Sequence, residues 1–411
     1  MKKTLAVFLA IVQLLLLCAC GTADNATAPD GAPVELTVAL YGTNSIVVEK
    51  YINDFNAHNT AYRAKLCQYD PSESGQAALD ALLIALASDN APDVVFANRA
   101  ISSTTGFADL YEFLDSDASL SRADFLPGLL PGLERDGKLY QLWDGFYIGT
   151  VCAYAAEDCS HLTLEAVNSA VTAQKGETAL FSPFTDRYGF LTSILPGVIS
   201  RTVDAEKQAA DFDTPEMREI LAICAALPAE PEFEEERAFA LEPLVFACAD
   251  VFPYAYPEPD TQGIRFFSES DNADNYTALT CRTGGCMMIP ANSRNKDGAW
   301  EFISSVVSAD EQLAVTAALP AHIGFPVNAS AFEHELTKPT DEEHPDPILT
   351  DTQRAKLTAL IDTADVIGAT TADIVSLVLE NVEALTAQGY AADDIITQLN
   401  SKASIYLAEH N

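Results

Sequence analysis

The stretch Val34-Glu35-Leu36-Thr37-Val38-Ala39-Leu40 alternates apolar and polar positions and reads as a β-strand. Tyr41-Gly42-Thr43-Asn44-Ser45 breaks that pattern, and Val47, Val48, Tyr51, Ile52 and Phe55 then recur at helical spacing. The first unit is therefore strand, loop, helix. A second, strongly apolar helix covers Ala77 to Leu86. After the turn Asn90-Ala91-Pro92-Asp93, the continuous run Val94-Val95-Phe96 has the form of a buried parallel strand. Repetition of this unit predicts an α/β fold, a sheet with helices on both faces. Ligands of such sheets bind beyond the carboxyl ends of the strands, where the loops Tyr41 to Ser45 and Ala97 to Ile101 lie.

Outward from there, Asp136-Gly137-Lys138 is a turn before the aromatic-rich run Leu139 to Ile148. Thr214-Pro215-Glu216 has the cap, first-turn proline and early acid of a helix start; Met217, Ile220, Leu221, Cys224 and Leu227 mark its buried face. Ala229 to Arg237 and Pro339 to Pro347 are acidic surface segments. Helical patterns close the chain near Thr352 to Asp362, Ala372 to Leu385 and Ala391 to Ala408, and no repeat of fixed period is visible.

The 411 residues carry 23 Lys and Arg against 60 Asp and Glu, a net charge of −37. Nucleic-acid binding needs cations to neutralise phosphates, so this balance excludes it, and anionic lipid surfaces with it. A hydrophobic fraction of 48% is too rich for disorder, and a chain this long is expected to split into two lobes with separate cores.

Lys2 and Lys3 precede an apolar run, Leu5 to Leu17, too short to span a bilayer but right for a signal peptide over residues 1–19. The run ends Leu17-Cys18-Ala19-Cys20-Gly21, which resembles a bacterial lipobox and implies lipid attachment at Cys20. Residues 20–33 are small, polar and Pro-bearing, a flexible tether. Loss of Lys2 and Lys3 takes the charge to −39, so the anchor is lipid rather than charge, and the body is expected on the outer face of the cytoplasmic membrane. Seven cysteines remain. Cys281 with Cys286, and Cys152 with Cys159, are each close enough in sequence to bridge, but no spacing demands it. No C-x-x-C or clustered histidine suggests a metal, and Asp115-x-Asp117 lacks the glycine and glutamate of a calcium loop.

These signatures, in this order, resemble extracellular solute-binding protein family 1, the lipid-anchored receptors that deliver sugars to ABC importers. The resemblance rests on the lipobox, on Leu36 to Asn59, on Ala91-Pro92-Asp93-Val94-Val95-Phe96, on Asp136 to Tyr140, on Ala210-Asp211-Phe212-Asp213-Thr214-Pro215-Glu216, and most specifically on Ile289-Pro290-Ala291-Asn292-Ser293-Arg294-Asn295 with the helix through Ile303. It implies a two-lobed periplasmic-binding-protein-like fold of type II, its lobes joined by hinge crossings. Lobe one would comprise residues 34–146 plus 281–328, and lobe two 147–280 plus 329–411. It further implies a monomeric receptor without cofactor, metal or enzymatic activity, docking on an ABC permease.

Sugar sites combine aromatic rings, which stack on pyranose faces, with convergent polar groups. Tyr41, Asn44, Asn98, Arg99, Trp143, Asp144, Phe146 and Tyr147 are candidates from lobe one and its edge. Phe184 and Tyr254 are candidates from lobe two, and Arg282 from a crossing. Gly145 and Asp144 beside Trp143 suit an exposed site better than a core strand. Trp300, on a helix face with Ile303, reads as core. Ile367-Gly368-Ala369-Thr370 lacks the aromatics common there in the family, Ala97 replaces an aromatic of some members, and Arg99 with Arg282 equally suit an anionic ligand. A peptide ligand, an extracytoplasmic hydrolase such as a glycosidase, and a structural surface lipoprotein are the alternatives. No G-x-S-x-G or H-E-x-x-H supports the hydrolase.

Overall fold

The computed structural model describes residues 32–42, 45–68, 75–88, 90–97, 106–154, 179–181, 187–204, 207–227, 239–246, 249, 264–266, 278–280, 285–319, 324–339, 347–362, 365–366 and 369–409. Strand β1 (Val34–Tyr41) leads into α1 (Ser45–His58), β2 (Tyr62–Gln68), α2 (Gly75–Leu86) and β3 (Val94–Ala97). The expected stripe Val47, Val48, Tyr51, Ile52 and Phe55 is the buried face of α1. After the short helices α3 (Tyr111–Leu114) and α4 (Leu129–Leu133) come β4 (Leu142–Trp143) and β5 (Gly145–Tyr154). The aromatic run is thus two strands, parted at Asp144.

β12 (Cys286–Met288) completes a five-stranded sheet in the order β2-β1-β3-β12-β4. β1 pairs parallel with β2 and β3, whereas β12 runs antiparallel to β3 and β4, so the sheet is mixed. β12 is a return strand from the other lobe, which reverses its direction. Behind it follow α7 (Lys296–Val306), α8 (Ala309–Ala318), β13 (Phe325–Pro326), α9 (Ala329–Thr337) and α10 (Asp351–Asp362). Trp300 and Ile303 are both buried on α7, as the helical spacing indicated.

A second sheet has the order β14-β11-β5-β9-β6, from β6 (Ala179–Phe181), β9 (Phe239–Phe246), β11 (Ala278–Thr280) and β14 (Asp365–Val366); β10 (Ile264–Phe266) also pairs with β5. The other described elements of that lobe are α5 (Arg187–Thr202), α6 (Pro215–Ala226), α11 (Ala369–Ala387) and α12 (Ala392–Glu409), with a small hairpin of β7 (Val203–Asp204) and β8 (Ala209–Ala210). Thr214 Oγ1 accepts the Met217 N–H and caps α6, and the predicted face of that helix is buried.

Two hydrophobic cores result. One holds the first sheet and α1, α7 and α8; the other holds α5, α6, α11 and α12, from Phe190 to Leu407. Phe332, Leu336, Leu349, Leu357 and Ile361, assigned to lobe two from sequence, pack in the first core. The chain therefore stays with lobe one through α10 and passes to β14 only after Asp362, some thirty-four residues later than the expected boundary at 328. No helix among the described residues is long and apolar enough to cross a membrane.

Two of the sequence blocks that carry the resemblance touch. Asp93, almost fully buried, accepts the Thr37 N–H (2.9 Å), the Ser293 hydroxyl (2.9 Å) and the Asn295 side-chain amide (3.1 Å), and its own N–H donates to Thr37 O (2.9 Å). One carboxylate thus ties the start of β3 to β1 and to the turn entering α7.

Candidate functional site

Register places Tyr41 opposite Ala97, Ala97 opposite Cys286, and Cys286 opposite Trp143. These four residues form one row across the first sheet, and paired positions share a face. β1 and β3 both end on this row, at Tyr41 and Ala97. Gly42 has φ +123°, a value glycine adopts without steric cost, which lets the chain turn off β1 at once. The expected loop ends at the strand carboxyl termini are therefore adjacent in space.

Of the candidate ligand contacts, Tyr41, Trp143, Asp144, Phe146 and Tyr147 are described. Asn44, Asn98, Arg99, Phe184, Tyr254 and Arg282 lie outside the described residues, as do Cys20 and the tether. Cys286 is buried on β12, and Cys281 and Cys159 lie outside the described residues. Tyr41 and Tyr147 are buried. Trp143 was expected to be exposed because of its glycine and aspartate neighbours; it is 0% exposed. Gly145 instead begins β5, where it pairs with Pro326. The indole Nε1 of Trp143 and the Oε1 of Gln141, two residues away, are buried without a hydrogen-bond partner among the described residues.

Phe146 stands in the core, its ring centroid 5.5 Å from Phe325 and 6.1 Å from Phe332. That position packs β5 against β13 and α9. Asp144 is likewise 0% exposed and acts on the chain itself. Its Oδ1 accepts the Gly285 N–H, its own N–H donates to Gly285 O (3.0 Å), and the Tyr51 hydroxyl lies 3.3 Å from Oδ2. Gln312 Nε2 donates to the Asp144 carbonyl (2.5 Å), while Gln312 Oε1 accepts the N–H groups of Val327 (2.8 Å) and Asn328 (3.1 Å). Asp144 and Gln312 together fasten the outgoing crossing at β4–β5, the returning crossing at Gly285 and the Val327–Asn328 segment. Burial raises the Asp144 carboxyl to about 7, against the hydrogen bonds that favour its charged form. The Tyr51 hydroxyl is pushed up by its own burial and by the Asp144 charge.

Sequence reasoning did not single out Gln312, Gly285 or the hydroxyl of Tyr51. Tyr51 fits the apolar stripe of α1, and nothing in the pattern around Gln312 distinguishes it from a solvent-facing glutamine. Gly285 is required because a Cβ there would lie 1.7 Å from Cε1 of Phe96. No group of His, Cys, Asp and Glu suited to a metal is found among the described residues. Asp117 is spent on structure: it accepts Ser119 N (2.7 Å), Ser119 Oγ (2.8 Å), Leu120 N (3.1 Å) and Trp300 Nε1 (2.7 Å).

No protein-family model and no curated protein matches the chain in sequence. Many solved structures match its fold. The ABC substrate-binding protein of Listeria monocytogenes in complex with cycloalternan aligns over 92% of this chain and 99% of its own, with TM-score 0.61 and 11% identity. The sugar-binding protein MalE of Xanthomonas citri aligns over 92% and 98%, with TM-score 0.61 and 15% identity. The cyclic alpha-maltosyl-1,6-maltose binding protein of Arthrobacter globiformis aligns over 92% and 99%, with TM-score 0.57 and 18% identity. The chain has the two-lobed α/β fold of these binding proteins.

Proposed function

We propose that this chain is the substrate-binding receptor of an ABC importer, monomeric, without cofactor, and held by lipid on Cys20 at the outer face of a bacterial cytoplasmic membrane. In this reading its lobes close over a carbohydrate and it performs no chemistry. The observation that carries it is end-to-end correspondence: more than 90% of this chain and nearly the whole of each neighbour share one architecture, and the three neighbours are described as substrate- or sugar-binding proteins.

Local chemistry supports it. Tyr41 and Trp143 share one row of the sheet, at the carboxyl ends of β1 and β3. The Trp143 indole N–H is buried without a partner among the described residues, which is costly if nothing else reaches it, and a sugar hydroxyl at that end of the sheet would supply the acceptor. Closure follows from differential affinity, since a ligand held by both lobes stabilises the closed arrangement.

The test is a thermal-shift screen of the chain without its first 20 residues against sugars, sugar acids, amino acids and peptides. A saturable rise with a sugar recovered intact is expected, because a ligand at 100 times Kd stabilises by about 2.7 kcal/mol. Cleavage of an oligosaccharide would point to the hydrolase, and no shift with any class to a structural lipoprotein. Cys20→Ala should move the chain from the membrane fraction into the medium.

A further inference from the structure

We propose that Asp144 is a proton-responsive positioning residue at the crossing between the lobes: one proton taken from solvent by its carboxylate loosens the tie between the β4–β5 junction and the main chain at Gly285. The geometry is a carboxyl group placed under both the outgoing and the returning chain. It is tied to Gly285 by its own side chain and main chain, and to β13's flank through Gln312. Hydrogen bonds to an ionised acceptor are about twice as strong as neutral ones. Protonation on Oδ2 therefore weakens the tether from Gly285 to Oδ1 and turns the Tyr51 contact around, so that the acid donates and the phenol oxygen accepts. Gly285 is then held less tightly to Asp144, without any covalent change.

The groups that face Asp144 make this exchange accessible near neutral pH. α1 presents Tyr51, whose phenol is pushed up by burial and by the Asp144 charge. The residue before β12, Gly285, presents its main-chain N–H and carbonyl. α8 presents Gln312, and beside it Glu311, whose carboxyl is itself raised to about 7 by burial and by Asp54, against Lys50 and His58. Burial outweighs the bonds to the ionised form of Asp144.

Trp143 adjoins Asp144 and is one of only two tryptophans, so Trp300→Phe leaves a single fluorophore at the crossing. Emission of that variant, titrated from about pH 5.5 to about pH 8.5, should show one transition with its midpoint near 7. The transition should vanish on Asp144→Asn and persist on Glu311→Gln. Tyr51→Phe, which removes a donor to the ionised form, should move the midpoint upward and serves if the asparagine variant does not fold. A flat titration, a transition that survives Asp144→Asn, or one that Tyr51→Phe leaves unmoved would overturn the proposal. Only the consequence for ligand affinity rests on the receptor reading. The titration needs no ligand, so its failure is distinct from failure of the sugar screen.

Discussion

Gln312 Nε2 donates to the main-chain oxygen of Asp144 at 2.5 Å, across 168 residues of sequence, and both groups are buried. The other end of the same amide receives two N–H groups from Val327 and Asn328. One side chain therefore completes the hydrogen bonding of three buried main-chain groups where the chain leaves lobe one.

Gln312→Ala removes a donor and an acceptor together and leaves those main-chain groups buried without partners. Each orphaned group costs about 1–3 kcal/mol, so urea unfolding should show a loss of roughly 3–5 kcal/mol with the slope unchanged. A loss below about 1 kcal/mol would mean that water replaces the amide and that the clamp is not structural.

Asp144→Asn should change the pH profile of stability. The folded carboxyl titrates at about 7, above its ordinary 3.8, so the folded state holds the proton more tightly than the unfolded chain. Its contribution is full below the ordinary value and is lost as pH rises through the folded value. The melting temperature of the asparagine variant relative to wild type should therefore increase from pH 4 to pH 8. A difference that stays constant over that range would contradict the burial argument.

Gly285→Ala places a Cβ 1.7 Å from the Phe96 ring. Overpacking of this kind costs about 1–3 kcal/mol, sometimes more. Phe96→Leu vacates the ring position, so the double variant should be more stable than the sum of the two losses predicts. Strict additivity in denaturation midpoints would show that the two residues are not in conflict.

Asp93→Ala strips the acceptor from Thr37 N, Ser293 Oγ and Asn295 Nδ2. Losing a buried network of this size should cost roughly 2–4 kcal/mol. Hydrogen exchange should rise at the amide of Thr37, where the tie is made, while α11 and α12 in the other core stay protected. Uniform loss of protection in both lobes would show that the cores unfold as one unit.

Much of the architecture was legible because it rests on local periodicity. The stripe of α1, the capped face of α6, Trp300 with Ile303 and the three closing helices all follow from spacing, since burial on a helix repeats every three to four residues. The end of lobe one was misplaced because α9 and α10 are as amphipathic as helices of either lobe, and spacing does not say which core an apolar face joins. The site was less legible. The glycine beside Trp143 serves strand pairing rather than exposure, and Phe146 is packed between Phe325 and Phe332.

By itself the sequence determined the strand–loop–helix units, the two-core division demanded by chain length, the acidity that excludes polyanionic partners, and the blocks around Asp93 and Ser293. These are properties of composition and of neighbours in sequence. Only the tertiary structure decided that Asp93 and Ser293 bond to each other, that Tyr41 and Trp143 share one row, and that Asp144 serves the crossing through Gly285 and Gln312. Those relationships join residues 93 and 293, 41 and 143, and 144 and 312, and hydrogen bonds and sheet register at such separations are set by packing of the whole lobe.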